Sequence, residues 1–261
     1  MSLITSLPAI DKLPECVFVM HEKSEKYIPT HQHTKGQLSY VEGGIAYVQL
    51  GNKTFLVPAR HYFWIPQGVE HQLKVSHSAT VLRSLFFYAH DDDQDPFYSR
   101  VGIYPINDLL LHMIKYSEKW EGPVSPQHKG YRFLSTIKSI LPDISIKALS
   151  IALPSTNNAQ MQEITHYLQT NIAANHSLES ISNRFNLSDR SLSRLFQLRL
   201  GTSFLQYLKL LRMVKAFEMI LQTNKPMTEI AYAIGYQSLS SFSHTFHQFT
   251  NFRPTDFDRP K

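Results

Sequence analysis

Along Ser203–Leu221 apolar residues recur at Phe204, Tyr207, Leu208, Leu211, Val214, Phe217, Met219, Ile220 and Leu221. The period is helical and the apolar face is too wide for a helix half in water, so the pattern predicts a buried central helix. Ser203 stands at its N-cap with Gln206 three residues on, and Gly201 can end the helix before it. A weaker stripe at Met161, Ile164, Leu168 and Ile172 predicts an amphipathic helix upstream. Residues 15–89 read differently. Short runs rich in β-branched and aromatic residues at 17–20, 37–41, 46–50, 54–57, 62–65 and 81–88, with Gly43-Gly44 and Gly51-Asn52 between them, predict strands joined by tight turns, hence a small barrel or sandwich. Between these regions, Ile106, Leu109, Leu110, Met113 and Ile114 form one helical stripe, and Phe133, Leu134, Ile137, Ile140 and Leu141 another. The class is α+β: a small N-terminal β-barrel plus helices, then an all-α domain. Expected boundaries are 1–96 for the barrel, 97–153 for the helical segment, 154–159 for a polar linker beginning at Pro154, and 160–261 for the C-terminal domain.

The central helix is flanked by two copies of one unit. Shifting Ile181–Phe196 by 50 lays Ser188 on Ser238, Ser191 on Ser241, Leu192 on Phe242 and Phe196 on Phe246. Its first half aligns at a shift of 49, which puts Asn186 on Gly235. Both residue types tolerate the left-handed conformation of a tight turn, and Ser188 and Ser238 would cap the helix that follows, so each copy predicts a helix-turn-helix. A 19-residue helix spans about 28 Å at about 1.5 Å per residue, near the repeat of successive major grooves. Two units so spaced suit a DNA duplex.

Net charge is +5, and residues 160–261 carry 11 Lys and Arg against 7 Asp and Glu, so most of the excess lies in the repeat domain. That excess is consistent with nucleic acid but too small to establish it. The one cysteine, Cys16, excludes an internal disulfide, and neither a leader-like start nor about 20 consecutive apolar residues is present, so a cytoplasmic protein with no membrane partner is expected. Asp91-Asp92-Asp93-Gln94-Asp95 lacks the Gly and terminal Glu of a Ca²⁺ loop and reads as a solvated turn.

Gly235, Tyr236, Ser238, Ser240, Phe242, Ser243, Phe246, Pro254 and Phe257 together resemble the DNA-binding domain of the AraC/XylS family of transcription regulators. Three positions depart from its pattern: His244 replaces a usual Arg, His247-Gln248 a Lys-rich step, and Asn251 a turn glycine. With Leu192, Leu195 and Phe196 as anchors, the first unit leaves Arg190, Ser193, Arg194 and Gln197 outward. Arg194 falls at the family's base-reading position, and Arg can bond guanine bidentately. In the second unit the outward set is Leu239, Ser240, Ser243, His244 and His247, while Ser188, Ser238, Arg212 and Lys225 are candidate phosphate contacts. The resemblance implies double-stranded DNA as partner, a homodimer through residues 106–141, RNA polymerase as a further partner, and no catalytic residues.

In the N-terminal region His31, His33, Gln37 and Gly44, then Pro66, Gly68 and His71, resemble the two cupin motifs, and a cupin sensor ahead of such a DNA-binding domain is the family's common arrangement. Its interior implies a small-molecule effector pocket, with His31, His33, Gln37, Tyr40, Tyr47, Trp64, His71 and Phe87 as candidates. His31, His33 and His71 could instead hold a divalent metal, although Gln37 stands where metal-binding cupins usually place Glu; no cofactor is otherwise expected. A rival reading is a metal-dependent cupin enzyme with a helical appendage. A helical protein-interaction module is a third, and it would show no salt-dependent DNA binding.

Overall fold

A computed structural model describes residues 3–22, 27–75, 81–146, 148–149, 151–250 and 252–257. Asn251 therefore lies outside the described residues. The chain divides into two compact units, one of Met1–Gly51 with Val57–Leu149, the other of Asn52–Leu56 with Ser150–Lys261.

The first unit begins with α1 (Leu3–Lys12) and continues through β1 (Val17–Glu22), β2 (Tyr27–His31), β3 (Gly36–Glu42) and β4 (Ile45–Leu50). Next come β5 (Lys53–Pro58), which straddles the division, and then β6 (His61–Ile65), β7 (His71–Val75), β8 (Val81–Phe87) and β9 (Gly102–Pro105). Helix α2 (Asp108–Tyr116), β10 (Gly122–Val124) and α3 (Tyr131–Ile144) complete it. One sheet has the order β10-β1-β8-β3-β6-β9, and β4-β7-β2 runs through a second. Of the expected barrel or sandwich, the described residues show two sheets and no closed barrel. Barrel closure needs the first and last strands of a sheet to pair, and here β10 and β9, from the segment expected to be helical, instead pair antiparallel onto β1 and β6 as separate edges.

Because side chains alternate along a strand, β3 presents two different faces. Its even positions, with Leu38 and Tyr40, join Tyr62, Trp64, Leu85 and Phe87 in a core completed by Leu110 and Ile114 of α2 and Leu134, Ile137 and Leu141 of α3. Its odd positions, Gln37 and Ser39, carry buried polar groups. Gly36 is forced by the even face, where a Cβ would lie 2.4 Å from the Trp64 ring. The acidic run is not a solvated turn: Asp91 and Asp92 pair with the ammonium of Lys138, whose side chain is 2 % exposed, and Lys138 also donates to the Tyr88 carbonyl at 2.7 Å. A buried Lys on α3 has to be paired, and the aspartates supply the countercharge.

In the second unit β11 (Ala152–Pro154) pairs with β5, Ala152 opposite Phe55 and Pro154 opposite Lys53. Helices α4 (Ala159–Thr170), α5 (Leu178–Arg184), α6 (Asp189–Leu200), α7 (Phe204–Gln222), α8 (Met227–Ala233) and α9 (Leu239–Thr250) follow. The N-terminal half of α7 shares a core with α4, α5 and α6 through Phe204, Tyr207, Leu208 and Leu211. Its other half turns Phe217 onto Phe246 and Phe257, with ring centroids 4.7 and 5.0 Å apart. One helix thus serves as core to both repeats, as its wide apolar face requires.

Candidate nucleic-acid interface and a buried histidine cluster

Both predicted turns have the predicted chemistry. Asn186 has φ 53° and Gly235 φ 87°, each reversing the chain between two short helices. The Ser188 side chain accepts the Ser191 N–H at 3.1 Å and that of Ser238 the Ser241 N–H at 3.2 Å, capping α6 and α9. Ser203 caps α7 in the same way, and Gly201 ends α6 at φ 64°. Each cap contributes about 1 kcal/mol by satisfying an N–H that the helix leaves without a partner.

These caps and the fully buried Leu192 and Phe196 set the rotation of α6 and leave Arg190, Ser193, Arg194 and Gln197 exposed. On α9, Phe242 and Phe246 are the buried anchors. Leu239, Ser240, Ser243, His244 and His247 line a single groove of about 490 Å³. Arg253 lines it too. The sequence reading missed this residue because it follows the repeat; it brings back a positive charge to a face where His244 and His247 replace basic residues. Ser188, Ser238 and Lys225 are exposed, Lys225 paired to Glu229 at 2.6 Å. Arg212, the remaining candidate phosphate contact, has partners within the protein. It is half-buried, donates to the Ala174 carbonyl at 3.1 Å, and lies against the second turn with its guanidinium carbon 5.7 Å from the Tyr236 ring centroid. Burial pushes its pKa down. It ties the chain after α4 to the turn before α9, which alternation on a helical wheel cannot reveal.

In the first unit, strands β2 and β7 place His31 directly opposite His71, and Gln37 reaches His71 and His33 from β3. His31, His33 and His71 are all buried, with one ring nitrogen from each within 4.8 Å of the others. Gln37 Oε1 lies 2.9 Å from His33 Nε2 and 3.1 Å from His71 Nε2. Behind it the Gln37 amide donates to Ser39 Oγ at 2.8 Å, and Ser39 Oγ meets Ser84 Oγ at 2.7 Å. Loss of hydration on burial pushes the His33 pKa down and that of His71 to about 3, which keeps both rings neutral near pH 7. Tyr40, Trp64 and Phe87 do not reach this cluster: they occupy the other face of their sheet, in the core under α2 and α3. Tyr47 is half-buried on β4, between the buried Ala46 and Val48 and therefore on the opposite strand face from them, in register with exposed Lys74. Strand count alone could not sort these faces, because β3 and β6 are buried on both sides.

Two family models match the chain: an AraC-like ligand binding domain over residues 15–90, holding the histidine cluster, and a helix-turn-helix domain over residues 181–260, running from within α5 through α9. The chain belongs to the AraC/XylS family. Among its relatives is the HTH-type transcriptional regulator NimR of Escherichia coli (strain K12), 24 % identical over 231 residues, which cover 88 % of this chain and 82 % of NimR. The HTH-type transcriptional activator RhaS of Citrobacter koseri is 29 % identical over 102 residues, 39 % of this chain and 37 % of RhaS. Among solved structures, the C-terminal domain of AraT, a response regulator from Geobacillus stearothermophilus, is 32 % identical over 38 % of this chain and 83 % of that one, with a TM-score of 0.37. This AraC/XylS member is a DNA-binding transcription regulator with a ligand-binding N-terminal region. The rival enzyme finds no support among these relatives, which are regulators by name. Among the described residues no helix is long and apolar enough to cross a membrane.

Proposed function

We propose that α6 and α9 enter successive major grooves of one DNA duplex, and that a small effector held at the buried polar cluster of the N-terminal unit governs that binding. The reading rests on how α6 sorts its side chains: Arg190, Ser193, Arg194 and Gln197 face solvent while Leu192 and Phe196, one helical turn apart, are fully buried. Arg194 reads a guanine, with Arg190, Ser193 and Gln197 on neighbouring base edges or phosphates. In the second unit Leu239 meets a thymine methyl, Ser240, Ser243, His244 and His247 contact the groove, and Arg253 supplies the phosphate charge that α9 lacks. Ser188, Ser238 and Lys225 approach the backbone, Lys225 by exchanging Glu229 for a phosphate.

A homodimer through residues 106–141 is supported by what α2 leaves outside. Its inward stripe is used in the core, yet Leu109 and Tyr116 remain 58 % and 56 % exposed, with Met113 half-buried between them. RNA polymerase is the further partner that an activator would engage. The effector can act only by binding two arrangements of the protein with unequal affinity. Selection of sequences from a random DNA pool by the full chain tests the proposal. A shared motif with binding that falls steeply as salt rises is expected; retention of no motif above the random pool would overturn it.

A further inference from the structure

The hydrogen-bond directions in the histidine cluster define its ligand more narrowly. Nδ1 of His31 lies 2.8 Å from the Pro29 carbonyl, that of His33 2.6 Å from the Lys35 carbonyl, and that of His71 2.8 Å from the Val69 carbonyl. A carbonyl oxygen only accepts, so each Nδ1 carries the proton and each neutral ring turns an Nε2 lone pair inward. The Gln37 amide nitrogen is committed to Ser39, which aims Oε1 at the same point. With the amide in this orientation, Gln37 Oε1 and the Nε2 atoms of His33 and His71 face one another as acceptors at 2.9 and 3.1 Å. Hydrogens could fill the gap by charging rings whose centroids are 5.1 Å apart inside the protein, where like charges repel strongly, or by turning the Gln37 amide over so that its oxygen faces Ser39 Oγ. One cation satisfies all these acceptors at once.

We propose that His31, His33 and His71, through Nε2, together with Gln37 through Oε1, bind a divalent transition-metal ion in the ligand-binding unit. The three carbonyls on Nδ1 are the outer partners that orient metal-binding imidazoles and raise their basicity. With one ring nitrogen from each histidine already within 4.8 Å of the others, small ring movements bring the donors to the roughly 2.1 Å of a metal–imidazole bond. The donor set is three imidazoles and an amide, all neutral. It therefore suits Co²⁺, Ni²⁺, Cu²⁺ and Zn²⁺ in the usual order of imidazole affinity and rejects Mg²⁺ and Ca²⁺, which need charged oxygen ligands. Lacking a carboxylate, the site leaves both charges of the ion uncompensated, which makes binding weaker than with a glutamate at the position of Gln37. This deepens the effector reading by naming the ligand's class, and depends on that reading only for any consequence at DNA.

The test uses the full chain without a histidine tag, stripped with chelator and equilibrated by dialysis with Co²⁺, Zn²⁺ or Mg²⁺. One equivalent of Co²⁺ or Zn²⁺ per chain is expected, with a visible Co²⁺ absorption band, and none of Mg²⁺. His71→Ala should lose the ion. Because that variant leaves a cavity, Gln37→Glu is the second arm: a carboxylate in place of the amide should tighten binding at least about tenfold and enlarge the rise in Tm on adding Zn²⁺. A purely structural Gln37 would give a destabilised variant with no gain in affinity. Less than about a tenth of an equivalent of every ion, retention of metal by folded His71→Ala, or unchanged affinity in Gln37→Glu would each overturn the proposal. No DNA enters the measurement, so its failure leaves the DNA-binding reading standing, and the reverse holds for the DNA selection.

Discussion

Replacing Arg194 by alanine separates what α6 contributes to DNA from what it contributes to the fold. Its side chain is exposed, and alanine has the highest helix propensity, so folding stability should change by less than about 0.5 kcal/mol. A bidentate contact to guanine is worth about 1–3 kcal/mol, so affinity for the selected sequence should fall roughly 5- to 150-fold, with discrimination blunted at one base pair. Phe196, two residues on, is the control. It is fully buried with ring centroids 5.5 Å from Phe204 and 5.6 Å from Tyr207, so Phe196→Ala should cost about 3–5 kcal/mol of stability and lose DNA binding by unfolding. Binding is measured by titration on selected and on scrambled DNA across a salt series, beside chemical denaturation. For Arg194→Ala the selected DNA should suffer and the scrambled DNA scarcely change. Equal loss on both, with the slope of log K against log salt reduced by about 0.9, would show that Arg194 touches only phosphate and would refute base reading.

Arg212→Ala should lower stability by about 1–3 kcal/mol by stranding the Ala174 carbonyl beside the second turn, measured as a fall in denaturation midpoint; an unchanged midpoint with a shallower salt slope would return Arg212 to the phosphates. Lys138→Met should cost about 3–5 kcal/mol because Asp91 and Asp92 lose their countercharge, and Asp92, already pushed up by burial, would take a proton; a thermal melt at pH 7 no lower than that of the unsubstituted chain would contradict this. Burial holds His61 at about 4, below its ordinary 6.5. Its contribution to stability is therefore complete above about pH 6.5 and is lost as pH falls toward 4, by about 3 kcal/mol in all, because the unfolded chain takes up the proton first. His61→Gln should flatten the dependence of stability on pH over that window, and an unaltered slope would assign the acid sensitivity to other groups.

The C-terminal half of the chain was legible because its determinants are local. Caps at Ser188, Ser203 and Ser238, left-handed turns at Asn186 and Gly235, and the apolar period of α7 each depend on residues within a few positions, so the sequence alone determined the repeat, its turns and its outward faces. The N-terminal half was legible only as strands. Strands β2 and β7 escaped the hydrophobic pattern because their histidines and Pro29 dilute it, yet they carry the cluster. Which face of β3 meets the histidines, and which meets α2 and α3, is decided by pairing between residues far apart in the chain, since both faces are buried and both read as core. Tertiary structure alone sent Tyr40, Trp64 and Phe87 away from the cluster, turned Arg212 inward onto Ala174, and brought Arg253 to the groove of α9, each through a contact that no local spacing encodes.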